Sequence, residues 1–248
     1  MAYLDSEYDE VDWERADWEV DLFFFRFDTS LLPGAVLSAA LIALFLLYLP
    51  AGMLDLALSS ETVREGRAGT LFTHMAAHGG PGHLWMNVAA LLVLSRILIR
   101  RVGLGARALL ACAALLILSG LSGGLLFLAI NPYGTVPMLG ASGAICGLLG
   151  FAARIDPESR ALAPLRSVAV GRALVDFAKW NLVLFVALYV LVWSLGGTGG
   201  LAWEAHLGGF AVGLLAAPFF LGWASRHLDV EGERSPHADG GGRDGISD

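Results

Sequence analysis

Long apolar runs alternate with shorter polar connections along the chain, and six runs stand out, near residues 35–54, 84–99, 107–130, 141–153, 180–195 and 203–223. A hydrocarbon core of about 30 Å takes about 20 helical residues to cross. The pattern therefore predicts six membrane-spanning helices and an all-α polytopic membrane protein. Two runs are short. That at 84–99 ends in Arg96, Arg100 and Arg101, whose long side chains can snorkel to the polar boundary. The fourth, at 141–153, has turn-forming chain on both sides and no such flank on its outer side.

Composition supports the pattern. Of 248 residues, 56% are hydrophobic and only 16% charged, and the mean hydropathy is +0.65. A water-soluble domain of this size would leave much of that apolar chain on its surface, which excludes a soluble globular enzyme. Residues 1–30 and 225–248 hold sixteen of the 23 acids but five of the sixteen bases, so the tails carry −11 and the middle +4. Three segments follow: an acidic tail over 1–30, a six-helix transmembrane domain over 31–224, and an acidic, Gly-rich tail over 225–248. The stretch from Asp5 to Asp21 reads as a solvated arm, and acidic tails repel phosphate, so no nucleic-acid partner is expected. The first thirty residues lack the basic start and early apolar stretch of a signal peptide, and no cleaved leader is expected. Cys112 and Cys146 lie inside apolar runs, so no disulfide framework is implied.

Basic residues set the orientation. With the N-terminus cytoplasmic, fourteen of the sixteen bases lie inside and only Arg64 and Arg67 outside. Both termini are thus expected in the cytoplasm of a multi-pass cell-membrane protein. Three connections then face outward: about 55–82, Asn131 to Gly140, and Gly196 to Gly200. Asp55, Glu61 and Glu65 read as solvated loop charges.

Polar side chains at membrane depth are costly and mark candidate sites. From Ser142 to Ala153 is about 18 Å of helix, against a core of about 30 Å. If Arg154 marks the inner edge, Ser142 lies about 10 Å below the outer one. The chain from Asn131 to Gly140, with Pro132 and Pro137, must then descend as irregular backbone that lines a wet cavity. Gly143 and Gly147 are four apart, as are Gly209 and Gly213, a spacing that lets the fourth and sixth helices approach closely. His206, one turn before Gly209, would then face Ser142. A neutral imidazole beside a serine can take its proton and make the oxygen a nucleophile.

His83 and Asn87 share a helical face at the start of the second run, and both can donate to a developing oxyanion, as can the Ser142 amide at a helix start. His74 and His78 have the spacing of a metal pair, but no Glu stands between them and no further ligand follows nearby, so no metal is expected. They are expected to fix the external loop through hydrogen bonds. Glu204, two residues before His206, points elsewhere on the helix and is expected to be solvated at the external rim.

Three motifs in order give the chain a family likeness. Gly140-Ala-Ser142-Gly143, Ala205-His206-Leu-Gly-Gly209-Phe-Ala-Val-Gly213 and the segment His78, His83, Asn87 resemble the rhomboid intramembrane serine proteases over about Thr70 to Gly213. The resemblance implies a rhomboid-like six-helix bundle whose short fourth helix carries the serine. It implies a serine endopeptidase in which Ser142 is the nucleophile and His206 the general base, with no acidic third member. It further implies that His83, Asn87 and the Ser142 amide form the oxyanion hole, with His78, Gly140, Gly143, Gly209 and Gly213 in support. Substrates would be membrane proteins cut in or near their transmembrane segments, with the bilayer as surroundings and no cofactor. The alternative is a catalytically inactive rhomboid-like protein that binds client transmembrane helices. Two places depart from the family pattern. Gly69-Thr70 stand where a Trp-Arg pair is usual, and Cys146 stands where an aromatic residue often lies beneath the histidine. Support of the imidazole then falls to Trp203 or to another helix.

Overall fold

The computed structural model describes residues 19–22, 25–156, 161–194 and 200–232. Residues 1–18 and 233–248 of the expected acidic tails, Arg160, and positions 196–199 of the Gly-rich connection lie outside them. The described helices are α1 (Leu32–Tyr48), the short α2 (Ser60–Arg64) and α3 (Thr70–Thr73), α4 (Pro81–Val102), α5 (Ala106–Ile130), α6 (Ser142–Ala152), α7 (Val168–Ser194) and α8 (Trp203–Gly232). Ahead of them, β1 (Glu19–Leu22) and β2 (Phe25–Asp28) pair antiparallel, Glu19 opposite Asp28, inside the segment read as an acidic tail. Five helices, α1, α4, α5, α7 and α8, are long and apolar enough to cross a membrane. α6, with eleven residues, spans about 16 Å and cannot cross alone. The bundle is all-helical, and the fourth apolar run is its short helix.

Local chemistry explains most boundaries. Pro33 and Pro81 sit in the first turns of α1 and α4, where a missing amide costs nothing. α1 stops at Tyr48, two residues before Pro50, which has no N–H to continue the ladder. Gly103, at φ +91°, ends α4. α7 begins at Val168 rather than near 180, because a helix can outrun its apolar stretch. Ser167 accepts the Val170 amide at its start, and Arg172, Asp176 and Lys179 lie within its first turns.

In lipid, helices gain little from hiding apolar surface and associate through close packing and hydrogen bonds. α5, α6 and α8 show how. A Cβ on Gly209 would overlap the Gly143 carbonyl oxygen, one on Gly213 the Gly147 carbonyl, and one on Gly150 the Phe210 carbonyl. On the other side of α8, a Cβ on Gly123 would come 2.6 Å from the Ala205 carbonyl oxygen, and Ser122 Oγ donates to the Gly208 carbonyl at 3.1 Å. α6 is wedged between backbones, with Gly143 to Leu148, Gly150 and Phe151 buried. Beneath it Leu91, Leu98, Leu115, Leu148 and Phe151 form the main apolar core, while Phe45, Leu84 and Val88 join α1 to α4. Asp28, before α1, pairs with Arg96 and with Arg100 (2.9 Å) at the far end of α4.

Arg154, taken in sequence as the inner edge, is not a solvated flank. It is buried, with Nε donating to the Ala163 carbonyl at 2.7 Å and Nη1 to the Leu214 carbonyl at 3.0 Å. Leu214 needs that donor. Pro218, inside α8, has no N–H to give to the carbonyl four residues back. The guanidinium at the end of α6 satisfies the acceptor that the proline leaves open.

Candidate active site

Ser142 opens α6 and His206 lies in the first turns of α8. With Gly143 and Gly209 in backbone contact, the two side chains meet: His206 Nε2 is 2.8 Å from Ser142 Oγ. His206 is buried and Ser142 half-buried. The other imidazole nitrogen, Nδ1, lies 2.6 Å from Oδ1 of Asn181 on α7. One turn deeper, Phe177 of α7 stacks on Phe210 of α8 with ring centroids 4.1 Å apart. Trp203 is exposed, so the ring's partner comes from α7.

The second run's polar pair stands on the same face of α4. Gly79 N–H donates to His83 Nδ1 at 3.3 Å, which leaves the proton of a neutral ring on Nε2. That nitrogen is close to Gly140. A Cβ there would come 2.8 Å from His83 Nε2, and Gly140 has φ +122°, so space and backbone both demand glycine. Asn87 is buried and donates through Nδ2 to the His83 carbonyl at 2.8 Å, holding one of its two amide protons. As first residues of α6, Ser142 and Gly143 have amides with no acceptor four residues back. His83 of α4 thus lies against Gly140, two residues before the serine that opens α6.

The loop that precedes α4 holds these parts in register. His74 accepts the Gly140 amide on its carbonyl (2.9 Å), while its ring Nδ1 lies 3.0 Å from the Thr70 carbonyl. His78 Nδ1 lies 3.1 Å from the Ala76 carbonyl, and its ring meets that of His83 edge to face, centroids 5.2 Å apart. Burial pushes the His78 imidazole down to about 4, with His83 acting in the same direction against the Ala76 bond, and burial also lowers His74. Both rings are neutral at pH 7. Leu58 and Met138 exchange backbone bonds of 2.8 and 2.7 Å, tying this loop to the descending segment before Gly140.

Glu204 departs from its expected place. It is buried, and its Oε1 accepts from Asn131 Nδ2 at 3.0 Å. The carboxylate joins the end of α5 to the start of α8 and does not touch His206. Asn181 was not singled out by the motif reading at all. The rule that flagged Ser142 applies to it: an amide side chain stands within the apolar stretch 180–195 and needs a partner there.

Comparison with known proteins adds two findings. A family model described as the Rhomboid domain matches residues 65–223, which take in every residue of this site. The chain is also similar to RHOMBOID-like protein 5 of Arabidopsis thaliana, 29% identical over 167 residues, covering 67% of this chain and 47% of that protein. The chain therefore spans about half the length of the curated relative it matches.

Proposed function

The chain belongs to the rhomboid family, and from that premise we propose that it is an intramembrane serine endopeptidase that hydrolyses peptide bonds in or near the transmembrane segments of other membrane proteins. That it is a multi-pass membrane protein follows from the family and from its five long apolar helices. The observation that carries the catalytic reading is the 2.8 Å approach of His206 Nε2 to Ser142 Oγ at a helix start.

The chemistry follows from the geometry. As Ser142 Oγ bonds to the scissile carbonyl carbon, its proton passes to His206 Nε2. The negative charge that develops on the carbonyl oxygen is met by His83 Nε2–H, the free amide proton of Asn87 and the Ser142 amide. Collapse breaks the C–N bond, and the leaving amine takes the proton from His206. Water then attacks the acyl-serine carbon, gives its proton to His206, and Ser142 leaves with that proton. No cofactor or metal takes part. His78, Gly140, Gly143, Gly209 and Gly213 hold the frame. A substrate helix must unwind locally before its carbonyl can reach Ser142, since helical backbone in lipid is fully bonded. Segments carrying Gly or Pro near their outer end should be cut faster than uniformly Leu-rich ones. The excess of basic residues at the α4–α5 and α6–α7 connections supports a cytoplasmic side for these ends and for both termini.

A serine-directed fluorophosphonate tests the reading on the purified full-length protein. Wild type should label, Ser142→Ala should not, and His206→Ala should label at least about 100-fold more slowly. Equal labelling of all three would instead leave a rhomboid-like protein that binds client helices without cutting them.

A further inference from the structure

We propose that Asn181 is the positioning residue of this site: from α7 it fixes the tautomer and the angle of the His206 ring, the place that an acid holds in a Ser-His-Asp triad. The proposal rests on the catalytic reading above and adds a third member to its pair. Three observations carry it. Asn181 Nδ2 donates to the Phe177 carbonyl at 2.9 Å, which settles which end of the amide is which. Oδ1, an acceptor only, is therefore the atom 2.6 Å from His206 Nδ1. A neutral ring facing that acceptor carries its proton on Nδ1, and its Nε2 lone pair is left toward Ser142 Oγ, the arrangement a general base requires.

Among the described residues, Asn181 and Ser142 are the side chains that bond the ring. Cys146, one turn after Ser142 on α6, is buried and has no ring to stack. Glu204 is committed to Asn131. The stacked pair Phe177 and Phe210, four residues before Asn181 and four after His206, keeps the two helices in the register that the hydrogen bond needs. Without Oδ1 the imidazole has no reason to prefer the Nδ1–H form, and the other tautomer turns an N–H toward the serine, where it cannot accept a proton.

Two substitutions separate positioning from packing. Asn181→Leu keeps the volume and removes the acceptor, whereas Asn181→Asp keeps the acceptor and brings a charge. On cleavage of a transmembrane substrate by the full-length protein, Asn181→Leu should lower kcat by about 10- to 100-fold with KM changed by less than about threefold. Asn181→Asp should retain more of kcat than Asn181→Leu even if it melts at a lower temperature. A mere packing role predicts the opposite order, and that order would overturn the proposal. Nitrogen NMR of ¹⁵N-histidine-labelled protein at neutral pH reads the tautomer without any turnover. His206 Nδ1 should be protonated and Nε2 bare in wild type, with that preference lost in Asn181→Leu. An unchanged tautomer in the variant sinks the proposal, even where fluorophosphonate labelling upholds the protease. Absence of labelling with the tautomer switch intact would sink the protease instead and leave Asn181 as the ring's partner.

Discussion

The helices that carry the site are held in opposite ways. α6 lies between backbones, with glycines on both sides of the contact and nearly every residue from Gly143 to Phe151 buried. α7 is longer, yet only Val170 among its residues is buried, and Leu182, Val183, Val186 and Tyr189 are exposed. One helix fixes the Ser142 hydroxyl by main-chain contact, and the other reaches the imidazole through a single amide and a ring stack. The difference teaches that the Ser142–His206 distance is set by the rigid part of the bundle, while the orientation of the imidazole depends on a helix that little else holds.

The comparison breaks most readily at the glycines. Gly213→Val, away from the serine, drives its side chain into the Gly147 carbonyl and should cost at least about 1–3 kcal/mol, read as a large fall in thermal midpoint or as loss of folded protein. Tolerance of that change would mean that α6 and α8 do not touch as described. Arg154→Ala comes next. It leaves the Leu214 carbonyl without a donor and should cost about 1–3 kcal/mol. The cost should shrink in a Pro218→Ala background, where an amide returns to that carbonyl; additive effects in the double-mutant cycle would refute the pairing.

The loop that precedes α4 lies between the two extremes and should show a more modest, pH-dependent effect. Folded His78 titrates near 4, against about 6.5 in the unfolded chain, so below pH 6.5 the unfolded state binds the extra proton. Its share of stability is whole above pH 6.5 and drains away as the pH falls toward 4. The thermal midpoint of wild type should therefore drop over that window, and His78→Gln should flatten the drop. The smallest effect is expected on α7: Leu182→Ala or Val186→Ala, at exposed positions, should change stability by less than about 0.5 kcal/mol. A larger loss would show that this face is packed in the working protein.

Much of this was legible in the chain. Ser142, His206, His83 and Asn87 stood out because polar groups are expensive at membrane depth, and glycines four apart announced where two helices meet. What escaped depended on partners far off in sequence. Glu204 looked like a rim charge because Asn131, 73 residues away, is not visible from its neighbourhood. The partner of Arg154 was hidden because the acceptor freed by Pro218 exists only once α8 is folded beside it. The start of α7 was misplaced because hydropathy reports which residues suit lipid, not where a helix begins. Asn181 was passed over for a related reason: one amide hardly alters the hydropathy of an apolar run.

The Asn181 side chain bears no formal charge, and neither does the resting serine or a ring protonated on one nitrogen only. The pocket is therefore electroneutral before the reaction starts. In the proposed reaction ions of opposite sign are born together when the proton moves and are annihilated together when the amine departs, so no permanent monopole has to be sheltered from hydrocarbon between turnovers.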